Sequence, residues 1–353
     1  MTGAFECAVE AYQTPRLIKL RPNLYGVCFT LMKMIPARYI LRQAADRGQL
    51  EPGTVIVETT SGTFGLALAM EAVHQNRRLI LVSDPVVDAR LYRRLTDLGA
   101  TVERVPAAAG RGPGGFQTAR LDRVAEVRAE LAAEGHATFC PEQYSNPDNP
   151  RSYATVADQL LASLGQVDCV VGPVGSGGSM SGTVSYVRTV SPDCRAIAVD
   201  TQASVLFGPP DGHRELRGLG MSVVPANLDY RVLDDVHWVS ASLAYAATRR
   251  LHRQHALFMG PTSGAAFQVA NWHATNNPDS MTVVMMPDEG YRYLDTVYDD
   301  EWLQANGHGA PADPADPVAT TDSTRPPVPW SSFRWDRRSH AEVLSGQEPA
   351  ATR

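Results

Sequence analysis

Residues 168–187 read DCVVGPVGSGGSMSGTVSYV, and this stretch decides the fold of the chain. The apolar run 168–172 predicts a buried strand, and the run 180–190 predicts a helix. Five small residues, Gly175–Ser179, lie between them. A glycine-rich turn from strand to helix suits a phosphate group, because amide groups at a helix N-terminus attract anions. The turn is neither a Walker A loop nor a dinucleotide fingerprint, and the alternative interpretation is a plain tight turn.

Short β-branched runs alternate with helical patterns on both sides of this stretch. Further strands are predicted at 54–58, 79–83, 101–105, 195–200 and 281–286. Between the early strands, apolar residues recur at helical spacing, as in 66–73 and 117–133. This alternation is typical of an α/β fold with parallel sheets covered by helices. Two wound units side by side are the simplest arrangement of the two groups of strands.

Composition excludes several classes of function. The chain has 353 residues, a net charge of −6 and no basic stripe, so we expect no nucleic-acid partner. No stretch reaches 18 consecutive apolar residues and the first ten residues do not resemble an export signal, so we expect no membrane partner. Five isolated cysteines predict a reducing, cytoplasmic location. Nine histidines without ligand spacing predict no metal.

Lysine is scarce in this chain, and its scarcity limits the number of side chains that could form a Schiff base. Of the 32 basic residues, only Lys19 and Lys33 are lysine. Codon bias accounts for the preference for arginine. If the protein forms a Schiff base with a carbonyl cofactor, only these two side chains can supply the amine.

Two other turns carry weaker signals. Residues 58–65 read ETTSGTFG after a predicted strand, so hydroxyl groups accompany the amide groups and a carboxylate fits as well as a phosphate. Residues 260–266 read GPTSGAA and lead into a helix. Each turn taken alone is explained equally well as a helix cap.

A lysine followed by these three turns in this order resembles the fold-type-II pyridoxal-phosphate enzymes, the family of cysteine synthase and cystathionine β-synthase. The likeness runs from about residue 14 to residue 303. The stretch TPRLIKL at 14–20 is similar to the family's first strand, and the segment 33–41 to the helix that carries its Schiff-base lysine. Residues 143–147 are similar to its substrate-side loop, and 218–220 to its gate segment.

The resemblance implies a role for each matched residue. Lys33 is expected to hold pyridoxal 5'-phosphate as a Schiff base and then to act as the catalytic base. The implied cofactor-binding residues are Lys33, Thr63, Gly175, Ser176, Gly177, Gly178, Ser179 and, with its hydroxyl against the ring nitrogen, Thr262. The implied substrate-binding residues are Thr60, Ser61, Gly62, Thr63, Gln143 and Gly218.

The family's organisation implies two domains, as in the β subunit of tryptophan synthase. We expect a larger cofactor-binding domain at 1–38 plus 151–305, a smaller substrate-side domain at 39–150, and a homodimer. From residue 306 the chain is polar and rich in proline, so 306–353 is predicted to be mostly disordered. Three aromatic residues interrupt this tail, and their docking on the body or on a partner subunit is the alternative: Trp330, Phe333 and Trp335.

Within the family, residues 205–220 and 287–298 are similar to enzymes of siderophore and antibiotic pathways that make precursors of 2,3-diaminopropionate. That likeness implies β-replacement on an O-activated L-serine, with O-phospho-L-serine as the expected substrate. Loss of the leaving group would give an aminoacrylate, to which the amine of L-glutamate adds. The expected partners are therefore small-molecule amino acids.

Two alternatives to this function remain. A sulfur nucleophile could replace the amine, or the elimination product could be released to water. The second alternative is that the protein is a catalytically silent homologue that acts as a partner subunit. It is suggested by departures from the family pattern, because Phe29–Met32 replace the usual loop before Lys33 and Thr63 stands in place of the usual asparagine.

Overall fold

A computed structural model describes residues 4–60, 62–85, 88–111, 115–216, 218–309 and 313–346. The strands are β1 Arg16–Arg21, β2 Leu24–Cys28, β3 Val55–Thr59, β4 Leu79–Ser83, β5 Thr101–Arg104, β6 Thr138–Phe139, β7 Cys169–Pro173, β8 Arg195–Asp200, β9 Asp235–Val239, β10 Thr282–Met286, β11 Val318–Ala319 and β12 Trp330–Arg334. The α-helices are α1 Ala8–Ala11, α2 Met34–Asp46, α3 Thr63–His74, α4 Ala89–Asp97, α5 Gly115–Ala133, α6 Asp148–Arg151, α7 Ala154–Leu164, α8 Gly178–Val187, α9 Ala241–His255, α10 Pro261–Asn276, α11 Asp300–Ala305 and α12 His340–Ser345.

The strands form two sheets. The larger sheet has the order β1-β2-β10-β7-β8-β9-β12-β11, and the smaller has the order β5-β4-β3-β6. Every residue of β3, β4, β7 and β10 is buried, as expected of parallel strands covered by helices on both faces. The structure therefore confirms the predicted α/β class.

The larger sheet is mixed, with a parallel centre and a further parallel pair, β11 with β12, at one edge. Strand β1 pairs antiparallel with β2, and β12 pairs antiparallel with β9. The smaller sheet is parallel throughout its described pairs. The chain thus closes both sides of a parallel centre with antiparallel strands, which need no crossover helix.

The structure contradicts the prediction that the tail from residue 306 is mostly disordered. Strand β12 pairs with β9 along five residues, and Trp330 and Trp335 have no exposed surface. The ring of Trp335 stacks on Tyr230, with 5.3 Å between centroids. Burial of these rings stabilises the tail through apolar contacts that its proline-rich composition does not suggest. The alternative prediction, that the aromatic residues dock on the body of the protein, is therefore correct for residues 313–346.

The predicted division into domains at residues 38 and 150 stays a proposal. The strands of the smaller sheet lie at 55–139, inside the segment assigned to the substrate-side domain. The boundary at 38 falls within α2, whose apolar face packs with α3 and the smaller sheet. A boundary just before α2 agrees better with this packing.

Helix α2 begins beside the end of the larger sheet, and this junction positions the site. The chain between β2 and α2 runs along the end of β10, where Phe29 N donates to Met286 O at 3.0 Å and Met32 N donates to Pro287 O at 2.8 Å. Lys33 follows directly as the N-cap residue of α2. Its Cα is therefore fixed by backbone hydrogen bonds to the carboxyl end of a central strand.

None of the helices in the part of the chain that the structure describes is long and apolar enough to span a membrane.

Candidate active site

A cleft opens at the carboxyl ends of the central strands, where ligands bind in open α/β sheets. Ten of the residues predicted from the sequence line it: Lys33, Thr60, Gly62, Thr63, Gln143, Gly175, Ser176, Ser179, Gly218 and Thr262. Gly177 and Gly178 form the turn directly behind this lining. Ser61 lies outside the described residues. The fold thus brings the described residues together, while their individual roles remain predictions.

Lys33 lies at the floor of the cleft. Its Nζ donates to Ser176 Oγ at 3.0 Å, which joins the lysine to the glycine-rich turn. Burial lowers the pKa of Lys33 to about 8, because a charged ammonium is poorly solvated there. A substantial fraction of the amine is therefore neutral near pH 8, and a neutral amine is the form that attacks a carbonyl carbon.

The glycine-rich turn is a tight cradle that larger residues would fill. Gly177 has a φ of +83°, and a Cβ there would lie 2.5 Å from Leu228 Cα. A Cβ at Gly178 would overlap Asn149 Oδ1. Helix α8 begins at Gly178, so its first amide groups face the cleft without intrahelical partners. The turn therefore offers amide donors to an anion, as its sequence predicts.

Thr60 shapes the loop at the start of α3. Its Oγ1 accepts hydrogen bonds from Gly62 N at 3.1 Å and Gly65 N at 3.0 Å. A Cβ at Gly65 would lie 2.5 Å from this oxygen, so the glycine allows the close approach. Helix α3 starts at Thr63 with no side-chain cap from Gly62. The first-turn amide of Thr63 is consequently available to a carboxylate in the cleft.

Gln143 reaches the same loop from the segment before α6. Its Nε2 donates to Thr59 O at 3.3 Å, and its backbone N donates to Glu58 Oε2 at 3.2 Å. Glu58 also accepts from Thr59 N at 2.7 Å. Burial nevertheless raises the pKa of Glu58 to about 7. This buried carboxyl group therefore fixes both the Thr59–Thr60 backbone and Gln143.

Thr262 and the gate segment form the opposite wall. Thr262 is buried in the first turn of α10, and a Cβ at Gly218 would lie 3.9 Å from its Cγ2. Gly218 and Gly220 have φ values of +93° and +72°, which favour glycine. Gly220 N donates to Val174 O at 3.0 Å, which ties the gate to the glycine-rich turn.

Sequence reasoning did not assign several residues of this cleft to the site. The loop after β10 contributes Asp288, Arg292 and Tyr293. Asp288 Oδ2 accepts from Tyr293 OH at 2.8 Å, and burial raises the pKa of Asp288 to about 6. The position of this loop after the last strand of the sheet was the available signal, since strands of one sheet end at a common edge.

Comparison with known proteins identifies the family. Residues 32–288 match the family model described as "Pyridoxal-phosphate dependent enzyme", and the chain belongs to this family. It is an enzyme that depends on pyridoxal phosphate and is of the β-substitution type. The resemblance drawn from the lysine and the three turns is thereby confirmed.

Two curated relatives are similar over most of their length. The chain is 36% identical over 271 residues to "N-(2-amino-2-carboxyethyl)-L-glutamate synthase" of Ralstonia nicotianae, covering 76% of this chain and 78% of that protein. It is 35% identical over 274 residues to the enzyme of the same name from Cupriavidus metallidurans, covering 76% and 79%.

Solved structures share the fold. The O-acetylserine-dependent cystathionine β-synthase of Helicobacter pylori aligns with a TM-score of 0.75 and 25% identity, covering 84% of this chain and 99% of that one. An O-ureido-L-serine synthase aligns with a TM-score of 0.74 and 25% identity, covering 86% of this chain and 100% of that one.

Proposed function

We propose that the protein joins the amine of L-glutamate to Cβ of an O-activated L-serine, with O-phospho-L-serine as the first substrate. The product is N-(2-amino-2-carboxyethyl)-L-glutamate, a precursor for siderophore or antibiotic biosynthesis. The names of the two curated relatives support this reaction. The observation that carries it is the lysine amine of Lys33 held 3.0 Å from Ser176, at the turn suited to a phosphate group.

The residues of the cleft fit pyridoxal phosphate. Lys33 would hold its aldehyde carbon, the amides of Gly175–Ser179 its phosphate, and Thr262 its ring nitrogen. Two observations support this fit. Burial lowers the pKa of Lys33, and the glycine-rich turn has no room for a Cβ at Gly177 or Gly178. When bound, the group supplies an electron sink that weakens the Cα–H bond and the bond from Cβ to the leaving group.

Lys33 carries the proton transfers in this proposal. Burial favours its neutral amine over the ammonium, and a neutral amine would be able to take the Cα proton. Ser176 Oγ, at 3.0 Å, orients the amine without adding charge. The hydroxyl of Thr262 likewise brings no charge to the ring nitrogen, which keeps the electron sink moderate and favours β-elimination over longer-lived carbanion chemistry.

The loop at 60–63 and Gln143 hold the first substrate. The first-turn amides of α3 bind its α-carboxylate, and the Gln143 side chain closes the pocket beside Thr59. Fixing the carboxylate orients the Cα–H bond toward Lys33, and such positioning is worth several kcal/mol, up to about 7–11 in favourable cases. The Cβ–O bond then breaks and inorganic phosphate leaves. A Cβ–N bond forms as the incoming amine gives up one proton, and Lys33 returns a proton to Cα.

A sulfur nucleophile is the second candidate. The likeness to the Helicobacter pylori enzyme, whose name specifies O-acetylserine and cystathionine, favours it. An enzyme that adds glutamate or an amino-acid thiol needs a site for a second amino acid, whereas an enzyme that adds sulfide does not.

Mass spectrometry of the products tests the proposal. Purified enzyme is supplied with O-phospho-L-serine and either L-glutamate or sulfide. We expect the glutamate adduct to dominate and to disappear in Lys33→Ala. Lys19→Ala is the matched control, since Lys19 is the only other lysine and its Nζ lies 5.9 Å from the Tyr25 ring centroid on an outer strand. Cysteine as the main product would favour the second candidate.

We further propose that the enzyme acts as a homodimer in the cytoplasm. The family resemblance supports the dimer, and the five free cysteines suit a reducing compartment. Sedimentation equilibrium of the purified protein is expected to give twice the mass of the chain, and a monomer would contradict the expected dimer.

A further inference from the structure

The second substrate, L-glutamate, brings two carboxylates into the cleft, but the amide donors there already bind other groups. In the proposed function, the first-turn amides of α3 hold the carboxylate of phosphoserine, and those of α8 hold a phosphate group. L-glutamate requires further cationic or donor groups, because a carboxylate that leaves water unpaired is strongly destabilised. A free arginine near the loop at 60–63 meets that requirement best.

Arg292 is the one arginine among the described residues that line the cleft around Lys33. Its Nη1 lies 3.5 Å from the position that a Cβ on Gly62 would occupy, so the guanidinium packs directly on the loop at 60–63. Its side chain is 20% exposed and therefore reachable from the cleft.

The guanidinium of Arg292 is largely uncommitted. Among the residues that the structure describes, its nearest ion pair is with Asp88 Oδ2, at 3.9 Å from Nε, which is too long for a hydrogen bond. Asp288 lies near enough for Arg292 to lower its pKa, but neither of its oxygens accepts a hydrogen bond from Arg292: Oδ2 is bound by Tyr293 OH, and Oδ1 has no hydrogen-bond partner among the described residues. The donors of Arg292 are thus available to a ligand.

Other arginines around the site are already paired or lie farther out. Arg16 donates to Glu289 at 3.1 Å, and Arg90 pairs with Asp295. Arg90 and Arg94 line an adjoining outer cleft, which Arg292 and Thr63 share with the inner one. Arg292 therefore lies on the boundary between the two clefts, together with Thr63 and Asp288.

From these observations we infer that Arg292 binds the γ-carboxylate of the incoming L-glutamate and selects it as the nucleophile. The amine of glutamate must reach Cβ of the first substrate near Lys33, so its α-carboxylate lies deep and its γ-carboxylate points toward the mouth. A guanidinium at the mouth matches a carboxylate with two parallel hydrogen bonds. The inference rests on the proposed function, and it adds the residue that discriminates between nucleophiles.

The test compares L-glutamate with L-glutamine, which has nearly the same shape but no γ-carboxylate. The holoenzyme, Arg292→Gln and Arg292→Lys are assayed with both nucleophiles. Arg93→Gln is the matched control, since Arg93 is exposed on α4 and does not line either cleft. We expect Arg292→Gln to raise KM for glutamate tenfold or more and to leave KM for glutamine within twofold, with Arg292→Lys intermediate.

Phosphate release from O-phospho-L-serine without a nucleophile provides the second readout. We expect any loss of this release in the Arg292 variants to be at least fivefold smaller than their loss with glutamate, and Arg93→Gln to stay within twofold of wild type in both assays. An unchanged preference for glutamate over glutamine, or an equal loss with both, overturns the inference. If Arg292→Gln does not fold, the preference of Arg292→Lys decides. Failure of the wild-type enzyme to form any glutamate adduct instead overturns the proposed function, and the inference with it.

Discussion

Replacing Lys33 by methionine is expected to stabilise the cofactor-free protein. The pKa of Lys33 falls from the ordinary 10.5 to about 8 on folding. A shift of that size corresponds to about 3 kcal/mol of unfavourable free energy at pH 7, where the folded protein must keep the ammonium in a poorly solvated place. Methionine has a similar length and no charge, so the variant avoids this cost.

The pH dependence of this gain has a definite sign. Because the folded-state pKa is depressed, the unfolded chain binds more protons than the folded protein between about pH 8 and 10.5, and wild-type stability rises with pH in that window. The advantage of Lys33→Met should therefore shrink from about 3 kcal/mol at pH 7 to about 1 kcal/mol at pH 10.

Urea denaturation of the cofactor-free proteins at pH 7 and pH 10 measures both quantities. Lys19→Met is the matched control and should change stability little at either pH, because Lys19 lies on an outer strand. A Lys33→Met variant that is no more stable than wild type at pH 7, or a gain that is the same at both pH values, would refute the reasoning.

Three further predictions concern the supports of the site. Gly178→Ala should weaken pyridoxal-phosphate binding tenfold or more in a fluorescence titration, because the new methyl overlaps Asn149 Oδ1; unchanged affinity would contradict the cradle. Burial raises the pKa of Glu58 to about 7, so this group makes stability fall as pH rises from about 4.5 through 7. Glu58→Gln should reduce that fall by about 2–3 kcal/mol between denaturation at pH 5 and at pH 8, and a slope as steep as that of wild type would exclude Glu58 as a contributor. Trp335→Ala should lower the free energy of unfolding by about 3–5 kcal/mol, since the ring is fully buried on Tyr230; a loss below 1 kcal/mol would mean that the tail does not support the fold.

Features that depend on local sequence were predictable. The run at β4 and the centre of β8, residues 196–199, are apolar, so their burial on both faces follows from composition, and the bounds of both strands agree with the structure. The strand-to-helix turn at Gly175–Ser179 needs glycine for its backbone conformation and its close packing, and the glycines are recognisable in the sequence. The scarcity of lysine left Lys33 and Lys19 as the only amines to consider.

Features that depend on distant contacts were not predictable in the same way. Strand β9 carries polar residues, and His237 within it accepts a hydrogen bond from Trp330 Nε1, 93 residues away. Neither segment reads as a buried strand alone, because each is stabilised by the other. Arg292 is similar, since it belongs to the site only through the meeting of the loop after β10 with the loop at Gly62. The local pattern of apolar residues does not indicate which distant segments come into contact.

Reduction of the holoenzyme with borohydride, followed by peptide mapping, tests the central claim most directly. Borohydride converts the bond between the cofactor and its lysine into a stable amine, and the chain offers only two candidates. The account predicts one labelled peptide, containing Lys33, and no label in Lys33→Ala. A label on Lys19, or no label in folded protein saturated with pyridoxal phosphate, would contradict it.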